Sequence, residues 1–136
     1  MQFIDLKAQY AALKSEIDAN MQEVLNSAAF IGGKYVKELE EKLASFTGRK
    51  HCITCANGTD ALQLAFMALG VGKGDAVFAP DMTFISSTEP AAMFGAVSVF
   101  CDITPDTYNL DPASLERQIK AVLAEGKYTP KAVVAV

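Results

Sequence analysis

Apolar residues divide the chain into a helical first part and a mixed second part. Between Lys7 and Ser27 they recur every three or four positions, a spacing typical of an amphipathic helix. The same spacing predicts a second helix over 35–46. The inward face of that helix is predicted to consist of Val36, Leu39, Leu43 and Phe46. Between the helices, Phe30-Ile31-Gly32-Gly33 is interpreted either as a helix end with a linker or as a ligand contact. Residues 1–50 are therefore predicted to form an N-terminal helical segment.

From residue 51 onward, short apolar runs alternate with helical spacing. The runs predict strands at 51–55, 76–79, 97–101 and 131–136. Strands and helices that alternate with short connections favour a parallel sheet covered by helices on both faces. The predicted fold class is α/β, with 51–136 as the α/β part of a single incomplete domain over 1–136. Because a buried parallel strand at a sheet edge leaves backbone groups unpaired, a last strand ending at Val136 predicts the front part of a longer protein.

Composition and charge narrow the function classes. Hydrophobic residues make up 51% of the chain, which is enough for a packed core. The net charge is −4 and no stretch is strongly basic, so a nucleic-acid partner is not expected. No apolar run approaches the roughly 20 residues of a membrane span, and the N-terminus lacks the pattern of a signal peptide. We therefore expect a cytoplasmic protein without a membrane partner.

The three cysteines match no complete metal or redox motif. Cys52 and Cys55 have the C-x-x-C spacing, but strand positions three apart face opposite sides of a sheet. The chain has no second such pair, and its only histidine is His51. Buried structural thiols are therefore favoured over a metal site, and no metal ligand is predicted.

The strongest candidate site follows the predicted strand 51–55. Asn57-Gly58 breaks the strand, and a nearly all-apolar helix begins there. Free backbone N–H groups and the helix dipole make such a helix start an anion site. Gly58 would let the backbone approach an oxyanion, and Thr59 adds a hydroxyl. Thr59 or Asp60 could equally serve only as the helix N-cap, so phosphate binding and simple capping both remain open.

A second candidate lies at the end of the next predicted strand. In parallel sheets, ligands bind at the carboxyl ends of strands. Residues 57–59 and 81–84 both lie at such ends, so they are expected to face one crevice. Phe84 is interpreted either as a ligand contact there or as ordinary core packing.

Several segments carry a family resemblance through their order and spacing. They are Phe3-Ile-Asp-Leu6, Phe30-Ile-Gly-Gly33, Gly58-Thr-Asp-Ala-Leu62, Ala68-Leu-Gly-Val-Gly-Lys-Gly-Asp75, Pro80 with Thr83-Phe84, Gly95-Ala96 and Asp102. Together they resemble the DegT/DnrJ/StrS-type sugar aminotransferases, which are pyridoxal-phosphate enzymes of the aspartate-aminotransferase fold. The resemblance covers nearly the whole chain and about the first third of a typical family member.

The resemblance implies a cofactor site and a reaction class. Gly58 and Thr59 would hold the phosphate of pyridoxal 5′-phosphate, Phe84 would stack on its pyridine ring, and Asn57 would lie beside them. The substrate would be a nucleotide-linked keto-sugar in amino-sugar or cell-surface polysaccharide biosynthesis, with an amino donor such as glutamate, and the enzyme would be a homodimer.

The family's covalent lysine and the acidic partner of the ring nitrogen lie in segments beyond Val136. No catalytic residue is therefore expected in this chain. Alone, the chain is predicted to be inactive and to bind the cofactor weakly or not at all.

Two other functions remain in view. One is a truncated, non-catalytic relative that binds a phosphate-bearing ligand or another subunit. The other is an unrelated nucleotide-binding α/β domain, which would need a G-x-G-x-x-G turn or a complete P-loop. The sequence contains neither motif.

Overall fold

A computed structural model describes residues 3–136 as two compact units. The units are Met1–Thr54 and Cys55–Val136. The first unit contains helices α1 (Leu6–Ser27) and α2 (Lys34–Thr47). These bounds confirm the two helices that the apolar spacing predicted.

Polar side chains connect the two helices of the first unit. On α1, the Glu23 carboxylate accepts hydrogen bonds from Lys34 Nζ and Tyr35 Oη at the start of α2. On α2, the Glu40 carboxylate accepts one from the Thr54 backbone N–H at 2.8 Å and one from the Thr54 hydroxyl at 2.9 Å. Thr54 is thereby tied to α2.

The predicted inward face of α2 is wrong. Its four apolar residues are exposed, with Phe46 88% accessible, and Ala44 is the buried residue of this helix. α1 buries none of its residues. α1 does not cover the apolar stripe of α2, so burying that stripe needs a further packed layer. The first unit therefore presents its apolar face openly.

Glu40 gives the first unit a predictable response to acid. The backbone N–H and hydroxyl of Thr54 hold the pKa of Glu40 below its ordinary value of 4.5. A lowered folded-state pKa means that these bonds stabilise the unit above pH 4.5 and are lost as pH falls through the folded value. We expect the Thr54 amide resonance to move in that acid range. In Glu40→Gln this titration should disappear, whereas the neighbouring Glu41→Gln should retain it; an unchanged titration in Glu40→Gln would contradict the assignment.

The second unit is an α/β structure around three parallel strands. Its helices are α3 (Gly58–Leu69), α4 (Glu89–Met93) and α5 (Pro112–Glu125), with a 3-10 turn, η1 (Ile85–Ser87), before α4. Its strands are β1 (Asp75–Pro80), β2 (Val97–Cys101) and β3 (Thr129–Val133), in the order β2-β1-β3. Both strand pairings are parallel, which confirms the predicted class.

Alternate residues of the central strand β1 pack on opposite faces of the sheet. Val77 joins a cluster with Phe66 of α3 and Ala91 of α4. Phe78 joins a cluster with Cys101 of β2 and Val122 of α5. Helices therefore cover both faces, and all residues of β1 after Asp75 are buried.

The predicted strand at 51–55 is wrong. These residues form no ladder with any part of the chain that the structure describes, and Ile53 is 80% exposed. An apolar, β-branched run fits a sheet only where a neighbouring strand accepts it. The third parallel strand is instead β3, which begins two residues before the predicted 131.

Two smaller differences from the sequence pattern remain. Ser86 and Glu89 have the spacing of a capping box, but the box does not form, because η1 occupies 85–87 and Thr88 precedes α4 without a side-chain capping bond. Cys101 is buried as predicted, but Cys55 is exposed and Cys52 only half-buried. Burial raises the pKa of the Cys101 thiol, so Cys101 stays protonated and unreactive at neutral pH.

Candidate functional site

The start of α3 leaves two backbone N–H groups available to a ligand. Asn57 precedes the first helical residue, Gly58, and its Oδ1 accepts from Asp60 N at 2.9 Å. The Asn57 carbonyl accepts from Ala61 N at 3.1 Å. Within residues 3–136, the N–H groups of Gly58 and Thr59 make no hydrogen bond, as expected for the first groups of a helix. Thr59 therefore lies at the helix start, as the sequence predicted.

Asn57 and Asp60 bond to each other in both directions. Besides accepting from the Asp60 amide, Asn57 donates from Nδ2 to Asp60 Oδ2 at 3.2 Å. The N-cap is therefore Asn57, and not Thr59 or Asp60. The negative charge of Asp60 is held against the Asn57 amide, where it also interacts favourably with the helix dipole.

The fold itself does not require glycine at position 58. A Cβ built on Gly58 meets no heavy atom within 4 Å, and its φ lies outside the left-handed region. The space beside this backbone is open. Without a side chain at this position, the N–H groups of Gly58 and Thr59 are open to approach.

Phe84 lies on a segment that packs against α3. β1 ends at Pro80, and the next residue, Asp81, donates its N–H to the Cys101 carbonyl at 2.9 Å. Phe84 directly precedes η1, and η1 contacts α3. The Phe84 side chain is 75% exposed, so it is not core packing.

Comparison with known proteins then decides the family. Residues 11–136 match the DegT/DnrJ/EryC1/StrS aminotransferase family. The chain belongs to this family. The resemblance read from the ordered sequence segments is confirmed.

Members of the DegT/DnrJ/EryC1/StrS family match nearly the whole chain. The UDP-2-acetamido-2-deoxy-3-oxo-D-glucuronate aminotransferase of Pseudomonas aeruginosa is 51% identical in an alignment of 132 residues that covers 94% of this chain and 37% of that protein. The crystal structure of a DegT DnrJ EryC1 StrS aminotransferase from Brucella abortus has a TM-score of 0.96 and 44% identity, over 99% of this chain and 36% of that one. The chain thus spans little more than a third of the length of these relatives.

A further structure connects the family with its cofactor. The ntda structure from Bacillus subtilis, with bound cofactor PMP, has a TM-score of 0.77 and 28% identity, over 89% of this chain and 26% of that one. The DegT/DnrJ/EryC1/StrS family depends on pyridoxal phosphate.

The residues at the start of α3 fit the phosphate of that cofactor. Two unbonded N–H groups and the adjacent Thr59 hydroxyl are donors, which suit an acceptor-rich anion. The Asp60 carboxylate would oppose a phosphate, but Asn57 already holds it. The exposed ring of Phe84 has the planar shape that a pyridine ring stacks on.

Two residues beside Phe84 were missed by the sequence analysis. Thr83 Oγ1 and Ser87 Oγ lie 2.7 Å apart and form a hydrogen bond across the Phe84 segment. The only signal in the sequence was the Thr83-Phe84 pair within the resemblance.

No helix among residues 3–136 combines the length and apolar content that crossing a membrane requires.

Proposed function

We propose that the chain is the cofactor-binding N-terminal part of a pyridoxal-phosphate-dependent aminotransferase acting on a nucleotide-linked keto-sugar. The observation that carries this proposal is the pair of unbonded N–H groups at Gly58 and Thr59, in a chain of this family. The name of the Pseudomonas aeruginosa relative, which contains a UDP-linked 3-oxo sugar acid, supports the substrate class.

Each site residue has a distinct role in this proposal. Gly58 and Thr59 bind the cofactor phosphate through their N–H groups and the Thr59 hydroxyl. Phe84 stacks on the pyridine ring and orients it. Asn57 contributes by capping α3 and by holding Asp60 away from the phosphate. When bound, the cofactor supplies the electron sink that amino-group transfer requires.

The proposal extends to the donor, assembly and location that the family resemblance implies. The amino donor is a compound such as glutamate, the enzyme is a homodimer, and its location is the cytoplasm. The open apolar face of the first unit agrees with a covering partner. A non-catalytic, phosphate-binding relative is not favoured, because the Pseudomonas aeruginosa and Brucella abortus relatives are both named as aminotransferases.

Three lysines of the chain are poorly suited to bind the cofactor covalently. A nucleophilic lysine needs a lowered pKa, because the protonated amine does not attack. Hydrogen bonds to Asp18, Glu23 and Tyr128 respectively raise the pKa of Lys14, Lys34 and Lys127 instead. We propose, as the family resemblance implies, that the chain alone binds pyridoxal phosphate weakly and has no aminotransferase activity.

The phosphate role is tested by Gly58→Ala against Gly72→Ala. Inorganic phosphate is titrated into the chain while the amide resonances of residues 58 and 59 are followed by NMR. The new Cβ meets no protein atom, so the stability of the fold should be unchanged. The added methyl group should, however, keep a bound phosphate from approaching the N–H groups closely. Losing one charge-assisted hydrogen bond, worth about 1.5–3 kcal/mol, should raise the dissociation constant at least about tenfold.

Gly72→Ala is the matched control. Its φ is also outside the left-handed region, and its Cβ makes only an ordinary contact at 3.9 Å. Its phosphate affinity should equal that of the parent chain. No shift at residues 58 and 59 in the parent chain, or equal weakening in both variants, would contradict the phosphate role.

The same samples test the expected inactivity. The chain is incubated with pyridoxal phosphate and glutamate, reduced with borohydride and analysed by mass spectrometry. We expect scattered, substoichiometric adducts and no transamination. A stoichiometric adduct on one lysine, with conversion of glutamate, would overturn this part of the proposal.

A further inference from the structure

The loop between β1 and α4 contains a hydroxyl pair that spans Phe84. Thr83 Oγ1 and Ser87 Oγ lie 2.7 Å apart, and Ser87 is 6% exposed. A buried hydroxyl without a partner is unfavourable, so this hydrogen bond is strongly preferred over an open arrangement. The hydrogen bond joins two residues that are four positions apart, and Phe84 lies between them in the chain.

Ser87 also bonds to the backbone of Phe84. Its N–H donates to the Phe84 carbonyl at 3.0 Å, while its hydroxyl forms the hydrogen bond with Thr83, the residue before Phe84. Next to it, Thr88 donates its N–H to the Ile85 carbonyl at 3.1 Å. The backbone on both sides of Phe84 is therefore fixed by hydrogen bonds centred on Ser87.

The Phe84 ring depends on this backbone for its orientation. At 75% exposure it has little packing of its own. Its backbone is extended, with φ −69° and ψ 145°, and it turns the chain into η1, which packs against α3. The position of the ring relative to the start of α3 is thus set through the segment that the two hydroxyls hold.

We propose that Thr83 and Ser87 are positioning residues, whose hydroxyl pair orients the Phe84 ring toward the cofactor. This inference rests on the proposed function, because it assumes that the ring stacks on the pyridine. Neither hydroxyl is assigned a contact with the cofactor. Their loss should weaken the ring contact and leave phosphate binding at Gly58 and Thr59 intact.

Two ligands separate the ring contact from the phosphate contact. Inorganic phosphate reports on the N–H groups alone, whereas pyridoxine 5′-phosphate adds the ring and carries no aldehyde that could react with lysines. Both are titrated into the chain with NMR detection at Gly58, Thr59 and the Phe84 ring. The parent chain should bind pyridoxine 5′-phosphate about two- to tenfold more tightly than phosphate, the range of an aromatic stacking contact.

Thr83→Val keeps the shape of Thr83 and removes its hydroxyl. We expect it to lose most of the preference for pyridoxine 5′-phosphate and to leave the phosphate dissociation constant unchanged. Thr83→Ser should restore the preference, because it keeps the hydroxyl. Ser87→Ala should lose as much of the preference as Thr83→Val does. The double variant should bind pyridoxine 5′-phosphate as tightly as either single variant, since each substitution removes the same hydrogen bond. In the free chain, hydrogen exchange of the Ser87 amide should be several-fold faster in Thr83→Val.

Thr104→Val is the matched control. Thr104 and Thr107 form another pair of hydrogen-bonded side-chain hydroxyls in the same unit, on an exposed loop. Its loss should change neither affinity nor Ser87 exchange. Parent-like binding and exchange in Thr83→Val, or equal weakening toward both ligands, would overturn the positioning role. Absence of any shift at Gly58 and Thr59 in the parent chain would instead overturn the proposed function, and this role with it.

Discussion

Phe78→Ala is expected to lower the free energy of unfolding of the second unit by about 3–5 kcal/mol. Phe78 is 1% exposed in the central strand β1, where it packs with Cys101 and Val122. Removing the ring loses the free energy of burying it and leaves a cavity. Because β1 is paired with β2 on one side and β3 on the other, the strand cannot move to close that cavity. Since small domains have about 5–15 kcal/mol of stability in all, urea denaturation followed by circular dichroism should show a greatly lowered midpoint.

Phe100→Ala provides the matched comparison. It removes the same side chain from the neighbouring strand β2, where Phe100 is 52% exposed and pairs with Ala79. Because much of that ring already meets water, its loss should reduce stability by less than half as much. Equal losses in the two variants would mean that the central strand does not organise the core of this unit.

The helices were predictable because their signals are local. Apolar spacing located α1 and α2 within one residue at each end. α5 starts with a local signal of this kind, a cap residue followed by a first-turn proline at Asp111-Pro112, and the Asp111 carboxylate accepts from the N–H groups of Ala113 and Ser114 at 3.0 and 3.1 Å. A cap residue and a first-turn proline act on backbone groups within a few residues, so a short stretch of sequence is enough to predict where such a helix begins.

The errors concern features that depend on distant partners. The run 51–55 has the composition of a strand but no ladder partner within residues 3–136. The apolar stripe of α2 has the right period, yet nothing in the first unit covers Phe46. Periodicity predicts which face of an element is apolar, and only tertiary packing decides whether that face is buried.

The candidate site was predictable in part. The break at Asn57-Gly58 correctly indicated the start of α3 and its free N–H groups. The exchange of hydrogen bonds between Asn57 and Asp60 depends on side-chain conformations, which spacing does not specify. The bond between Thr83 and Ser87 was missed for the same reason.

Asn57→Asp is expected to raise the dissociation constant of inorganic phosphate at least about fivefold. Aspartate caps a helix as well as asparagine does, so its oxygen can still accept from the Asp60 amide. It has no N–H group to donate to Asp60 Oδ2, which now lies 3.2 Å from Asn57 Nδ2. Two carboxylates would then flank the N–H groups of Gly58 and Thr59. A like charge about 4 Å away opposes an anion by about 1–4 kcal/mol, depending on the effective dielectric.

Asp60→Asn changes the charge at the same turn in the opposite direction. Its side-chain oxygen can still accept from Asn57 Nδ2, while the carboxylate charge is gone. Phosphate should therefore bind a few-fold more tightly. Both variants are titrated with phosphate at constant ionic strength, because salt screens such interactions. The shifts of the residue 58 and 59 amides provide the dissociation constants.

Opposite responses at positions 57 and 60 distinguish charge from capping. Capping alone predicts that both substitutions leave phosphate binding nearly unchanged or weaken it together, since each alters the same pair of hydrogen bonds. Asn109→Asp adds the same charge at an exposed loop position of the second unit and should leave the affinity within about twofold of the parent chain. If Asn57→Asp binds phosphate as tightly as Asn109→Asp does, no anion is bound at the start of α3, and the role of Asn57 is confined to capping the helix.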